Sequence, residues 1–373
     1  MPDSRVFTRP IFTLAVALST AALAITAPAS ASGPGEKDLK AKKLSTPSPV
    51  PGVAGEINIY SYREPGLIAP LVETFAKEFG VKVNVVYAKD GLTERIKAEG
   101  PNSPVDVLLS VDIGRLDEAK HSGITQPIKS ELVDDEIPAA YRDPDGAWVG
   151  LSQRARIVYA SRERVAQDKI TYEELADPKW KGKLCMRSGQ HTYNIGLLAS
   201  IIAHDGPEKA EKWAMGVKNN LARKPAGGDR DQVKSIYAGE CDIAVGNTYY
   251  MAAMETSDKP EQREWAKSVK LLFPNADGRG THVNISGAIL AKYAPHKENA
   301  KLFIDFLVSH EGQHIYANEV SEYPIDQDVP VSDRVAAWGT LKPDSLPLIE
   351  VAKYRKQASE IMDKVGFDQG PGA

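Results

Sequence analysis

Residues 56–109 alternate between two hydrophobic periods, and that alternation limits the chain to one broad architecture. Glu56-Ile57-Asn58-Ile59-Tyr60 alternates polar and apolar side chains, the period of a strand. Leu67, Ile68, Leu71, Val72, Phe75 and Phe79 then recur at helical spacing, and Gly80 is placed to end that helix. Val81-Lys82-Val83-Asn84-Val85 alternates again, residues 91–99 predict a second helix, and Val105-Asp106-Val107-Leu108-Leu109 predicts a third strand. Strands joined through helices pair in parallel, so this β-α-β-α-β order predicts a doubly wound α/β sheet.

The same signals return further along. Residues 151–160 predict a long strand crossing between two halves of the molecule. Residues 182–186, 242–246 and 269–273 predict further strands, and Tyr193 opens a helix running to about His204. Ile285-Ser286-Gly287-Ala288-Ile289-Leu290 predicts a strand returning to the first half. Residues 299–308 predict an amphipathic helix, and residues 351–362 a terminal one. Two α/β halves joined by more than one strand enclose a cleft, and ligands of such sheets sit beyond the carboxyl ends of strands.

Residues 1–31 predict a secretory signal: Arg5 and Arg9 supply a basic start, residues 11–25 are small and apolar, and Ala29-Ser30-Ala31 is a cleavage pattern. The apolar run is too short and too rich in Ala, Ser and Thr for a comfortable membrane span, and an uncleaved anchor is the alternative. Residues 32–55 hold Gly, Pro, Lys and Ser with few large apolar side chains, which predicts a flexible tether. The net charge of −4 becomes −5 once Arg5, Arg9 and Asp3 (together +1) are removed, which argues against nucleic acid as partner. Cys185 and Cys241 sit beside apolar strand-like runs; in an oxidising compartment they are a disulfide candidate, two free buried thiols being the alternative.

Three tyrosines sit just past strands. Tyr193 lies in Gly189-Gln190-His191-Thr192-Tyr193-Asn194, and Tyr249 and Tyr250 in Gly246-Asn247-Thr248-Tyr249-Tyr250. A phenolate is a hard oxygen donor that suits a hard cation such as ferric iron. On its own a Tyr-Tyr pair is more often a packing or rim feature. Its position after a strand, together with the Tyr193 turn and the Tyr60-Ser61-Tyr62-Arg63 break, brings three strand-end clusters to one cleft.

Six ordered motifs resemble the periplasmic ferric iron-binding proteins, the solute receptors of ABC transporters. They are Ile59-Tyr60-Ser61-Tyr62-Arg63-Glu64-Pro65-Gly66, Ser152-Gln153-Arg154-Ala155-Arg156, Tyr193-Asn194, Gly227-Gly228-Asp229-Arg230-Asp231-Gln232-Val233, Gly246-Asn247-Thr248-Tyr249-Tyr250, and Asn284-Ile285-Ser286-Gly287. The resemblance implies an α/β, two-lobed periplasmic-binding-protein fold of type II, each lobe a mostly parallel sheet flanked by helices. It places residues 56–155 and 284–335 in an N-lobe, 156–283 in a C-lobe, and 336–373 in a C-terminal helical segment and tail. It implies Tyr193, Tyr249 and Tyr250 as ligands of Fe(III). Many members supply His or His-Tyr after the first-loop arginine, where this chain has Glu64 and Pro65. The chain thus resembles the branch that completes the metal shell with a synergistic anion such as carbonate or bicarbonate.

A carbonate needs guanidinium partners, for which Arg63 and Arg154 are the candidates, structural ion pairs being the alternative. Ser188, Gly189 and the start of the Tyr193 helix are expected to add N–H donors. Arg230 is expected at a hinge or lobe contact. The implied partner is an inner-membrane ABC permease, with a monomeric, non-enzymatic mature chain in the periplasm and no membrane insertion. The alternatives are the same scaffold for a polyamine, thiamine or an organic anion, or a secreted zinc peptidase. The last rests on His310-Glu311-Gly312-Gln313-His314, an H-E-x-x-H pattern. Gly312 weakens the required helix, and no third ligand motif follows.

Overall fold

The computed structural model describes residues 55–372; the expected signal and, apart from Gly55, the tether lie outside them. Ten strands occur in it: β1 (Glu56–Ser61), β2 (Lys82–Tyr87), β3 (Val107–Ser110), β4 (Thr125–Gln126), β5 (Val149–Ser161), β6 (Leu184–Cys185), β7 (Ile243–Asn247), β8 (Val269–Leu272), β9 (Val283–Ala291) and β10 (Tyr323–Pro324). Their main order is β2-β1-β3-β9-β5-β7-β6, with β4 on β9 and both β8 and β10 on β5.

The first β-α-β unit follows its sequence closely. Pro65 starts the helix Pro65–Phe79, where a missing N–H costs nothing, and Gly80 ends it in the left-handed region at φ 66°. The stripe Ile68, Leu71, Phe75 and Phe79 is buried. Phe75 meets Phe303 of the helix Lys297–Val308 with centroids 4.9 Å apart, edge to face. Truncating Phe75 to Ala would cost about 3–5 kcal/mol on ordinary core behaviour.

The sheet is mixed, which corrects the expectation of mostly parallel sheets. β1 pairs in parallel with β2 and β3, and β6 with β7. β9 runs antiparallel to β3, β4 and β5, and β5 antiparallel to β7, β8 and β10. Local β-α-β patterning reveals only pairs joined through helices; β5 and β9 are placed by partners far away in sequence.

All thirteen residues of β5 are buried. Its partners change at one point: Ala155 pairs with Val283 of β9, and Arg156 with Asn247 of β7. Arg154 and Arg156, two residues apart, project from the same face of the strand. Cys185 and Cys241 form a disulfide with Cα atoms 5.9 Å apart, so neither is a free thiol. The terminal helix expected over 351–362 is two helices, Leu348–Lys353 and Arg355–Lys364, broken at Tyr354 (ψ 1°). No helix among the described residues is long and apolar enough to cross a membrane.

Candidate metal centre

The three tyrosines come together from two helix starts. Tyr193 is the second residue of the helix Thr192–Asp205, whose N-cap, His191, accepts the Tyr193 N–H through Nδ1 at 3.3 Å. Tyr249 and Tyr250 open the helix Tyr249–Glu255 directly after β7. The Tyr193 and Tyr249 hydroxyls lie 3.1 Å apart, and the Tyr249 and Tyr250 rings are 4.3 Å apart at 36°. Burial pushes the Tyr249 phenol well above its ordinary pKa, and Tyr193 and Tyr250 push it the same way. Tyr250 is also raised, by burial first and then by Tyr193 and Asp229.

Beneath the phenols lies a buried ionic cluster. Asp229 Oδ2 accepts from Arg156 Nη1 at 2.7 Å and from the Asn247 backbone N–H at 2.9 Å, and Asp229 Oδ1 accepts from Arg187 Nη1 at 3.1 Å. Arg156 Nη2 donates to Asn194 Oδ1 at 2.7 Å, tying the strand to the Tyr193 helix. The Arg156 and Arg187 guanidiniums lie 5.7 and 5.5 Å from the Tyr193 ring centre. Burial opposes ionisation of Asp229, but Arg156 and Arg187 outweigh it and hold the carboxyl below its ordinary range. Burial, reinforced by Arg187, drives the His191 imidazole down to about 3. Arg156 and Asp229 lie within the sequence motifs but carry no local signal of this role, and Arg187 lies outside every motif.

Arg63 and Arg154 meet at one carboxylate, Glu322, which the sequence did not single out. Arg63 Nη2 lies 2.8 Å from Glu322 Oε1, and Arg63 Nη1 donates to Ser286 Oγ at 2.6 Å. Arg154 Nη1 donates to the same Ser286 oxygen at 3.0 Å, while Arg154 Nε and Nη2 have no acceptor among the described residues. Ser152 Oγ donates to Glu322 as well. Burial alone would raise Glu322; Arg63 and Arg154 override it and hold the carboxyl low. Arg63 Nε likewise has no acceptor among the described residues, so both guanidiniums keep spare donors; what separates them is that Arg63 is ion-paired directly with Glu322, whereas Arg154 reaches only Ser286.

The Ser188 hydroxyl and the Gly189 N–H, expected beside an anion, are turned to Asp368 instead. Ser188 Oγ donates to Asp368 Oδ2 at 2.6 Å and the Gly189 N–H to Asp368 Oδ1 at 2.7 Å, so the Ser188 hydroxyl and the Gly189 N–H are already used. Neither residue lines the cleft, which has a volume of about 1090 Å³ and is lined by Arg63, Arg154, Tyr193, Tyr249 and Tyr250 among others. Glu64 lies 3.8 Å from Arg230, whose guanidinium sits 5.5 Å from the Tyr250 ring centre. Arg230 thus joins the first loop to the Gly-rich loop.

The H-E-x-x-H pattern falls elsewhere. His310 and His314 are on the helix His310–Asn318 with ring centres 6.1 Å apart; His310 Nδ1 lies 3.5 Å from Asp326, and His314 Nδ1 is 2.7 Å from Asn318 Nδ2. No group of three or more His, Cys, Asp or Glu among the described residues is placed to hold a metal ion. The zinc-peptidase alternative has no ligand set there.

Residues 102–343 match the bacterial extracellular solute-binding proteins. Iron uptake protein A1 of a Synechocystis strain is 43% identical over 319 residues, spanning 85% of this chain and 89% of that protein. A solved Bordetella ferric binding protein superposes with a TM-score of 0.77 at 51% identity, over 84% of this chain and 99% of that one. A Trichodesmium protein in complex with iron and citrate ligands superposes with a TM-score of 0.79 at 44% identity, over 84% and 100%. The chain belongs to the bacterial extracellular solute-binding family, among the ferric iron-binding periplasmic receptors of ABC transporters. Proteins of this family bind and hand over solutes and are not enzymes.

Proposed function

We propose that this protein is a two-lobed periplasmic receptor that binds Fe(III) through Tyr193, Tyr249 and Tyr250 and delivers it to an inner-membrane ABC permease. The observation that carries the reading is the convergence of the phenols: the Tyr193 and Tyr249 hydroxyls 3.1 Å apart, with the Tyr250 ring tilted against that of Tyr249 at 4.3 Å. Three phenolates neutralise the charge of Fe(III) with hard oxygen donors. They leave part of an octahedral shell open, which a synergistic anion, carbonate or bicarbonate, fills. Arg154, with two buried guanidinium nitrogens lacking acceptors among the described residues and no direct carboxylate partner, is the natural partner for that anion. Arg63 acts through Ser286 and Glu322, holding the floor against which Arg154 is set. A cleft of about 1090 Å³ also has room for a polycarboxylate, so citrate is the second candidate for the anion.

The change of partners along β5 between Ala155 and Arg156 supports the division into lobes 56–155 with 284–335 and 156–283. β5 and β9 then form the hinge, and closure brings Glu64 to Arg230. The mature chain works as a monomer. Adding Fe(III) with bicarbonate to the purified apo protein should give a visible iron-phenolate band. Tyr193→Phe or Tyr250→Phe should weaken it, and a colourless wild-type protein that takes up no iron would refute the reading.

A further inference from the structure

Tyr193 owes its position to more than its own helix. The loop that delivers it, residues 188–192, is held at each end by the C-terminal segment, which lies beyond the 102–343 stretch matched to the family. At one end Asp368 accepts both the Ser188 hydroxyl (2.6 Å) and the Gly189 N–H (2.7 Å). In the middle, Gln190 Nε2 donates to Asp363 Oδ1 at 2.7 Å and to the Ser359 carbonyl at 3.0 Å, and Ser359 Oγ donates back to Gln190 Oε1 at 2.7 Å. At the other end Arg355 Nη2 donates to Thr192 Oγ1 at 2.6 Å, one residue before Tyr193.

Two close approaches show how tightly the pieces fit. A Cβ on Gly189 would stand 2.7 Å from the buried Phe367 ring and 3.0 Å from Met362 Sδ. A Cβ on Gly114 would stand 2.0 Å from Arg355 Nε. The second matters because Arg355 has another partner. Its guanidinium lies 3.1 Å from Oδ1 and 3.2 Å from Oδ2 of Asp112, a fully buried carboxylate that caps the helix Ile113–His121 after β3. Asn284 of β9 donates to the same Asp112 at 2.7 Å. Arg355 therefore ties the start of the Tyr193 helix to the β3 corner and, through Asp112, to β9.

We propose that the C-terminal segment is a positioning element for the metal centre: Asp368 and Arg355 clamp the 188–192 loop and so fix the reach of the Tyr193 phenol. The clamp works through Tyr193 and touches no ligand itself. Its bearing on iron rests on the ferric reading above, whereas the clamp itself is testable without metal. The guanidinium spreads its contacts over two nitrogens, Nη2 to Thr192 Oγ1 and Asp112 Oδ1 and Nη1 to Asp112 Oδ2, a fork that the single nitrogen of a shorter lysine does not reproduce.

The test uses the full chain with Asp368→Ala, Asp368→Asn, Arg355→Lys and, as a surface control on the same helix, Lys364→Ala. In the apo protein, hydrogen exchange at residues 189–193 should quicken roughly ten- to hundredfold in Asp368→Ala and Arg355→Lys, the range for lost hydrogen bonds to a charged group. Asp368→Asn, which keeps an acceptor for Gly189, should restore most of the protection. The Lys364→Ala exchange pattern and melting temperature should stay close to wild type. With Fe(III) and bicarbonate, the two loosened variants should show a shifted, weaker phenolate band and faster iron loss. Unchanged exchange in both variants overturns the proposal. So does faster exchange combined with a wild-type band and release rate. If the wild type itself takes up no iron, the ferric reading fails, and the exchange result alone decides whether the clamp exists.

Discussion

Glu322→Gln tests the buried charge cluster on its own terms. The Glu322 side chain is 1% exposed and the Arg63 side chain 4%. Glutamine keeps the shape but removes the charge that faces both Arg63 and Arg154. Breaking a buried pair from one side strands the other charge, which costs about 3–5 kcal/mol. Unfolding entropy scales to about 0.7 kcal/mol/K for a chain of this size, so the melting temperature should fall by roughly 4–8 °C. The pH dependence gives a second reading. Glu322 is held below its ordinary range, so its contribution is present above the unfolded value near about 4.3 and is lost as pH falls through the folded one. Wild type should therefore lose part of its advantage below about pH 4.3, and the variant should not show that part. The assay is thermal unfolding by circular dichroism across a pH series. A Glu322→Gln melt within about 1 °C of wild type at neutral pH would mean that the carboxylate does not compensate the arginines.

Replacing Cys185 and Cys241 together by Ser opens a loop of 56 residues and should cost about 4 kcal/mol in the chain-entropy account, read as a lower urea midpoint. Full retention of the midpoint would show that the bridge is dispensable. Because Tyr249 and Tyr250 are pushed up by burial, the free phenols carry protons that iron must displace. Iron occupancy in an equilibrium titration against a chelator should fall as pH drops, after correction for the chelator's own protonation. A flat profile between about pH 8 and 6 would contradict phenolate ligation.

The parts of the fold visible in sequence are those decided by neighbours in the chain. The stripe from Leu67 to Phe79, its Gly80 cap and the flanking alternating runs all formed as read. The antiparallel centre was not visible, because β5 and β9 choose partners at least 83 residues away, the nearest being Ala160 with Ile243. The phenols were legible since their placement after strands is a local signal. Glu322 was not: in sequence it is one acid among many, and its partner Arg63 is 259 positions away. Ser188 and Gly189 resemble donors at a helix start, and only Asp368, some 180 residues later, shows that the Ser188 hydroxyl and the Gly189 N–H are engaged.

Arg154 and Arg156 stand on either side of the point where β5 exchanges partners, yet share one face of the strand. The chain thereby encodes the floor of two different ionic clusters in a single parity. A one-residue deletion just upstream of Arg154 would turn both guanidiniums away together, or else slip β5 against β9 and β7 at once. Substitutions can tune either arginine independently, but a length change within β5 cannot. This strand should therefore resist insertions and deletions even more strongly than it resists changes to its buried side chains.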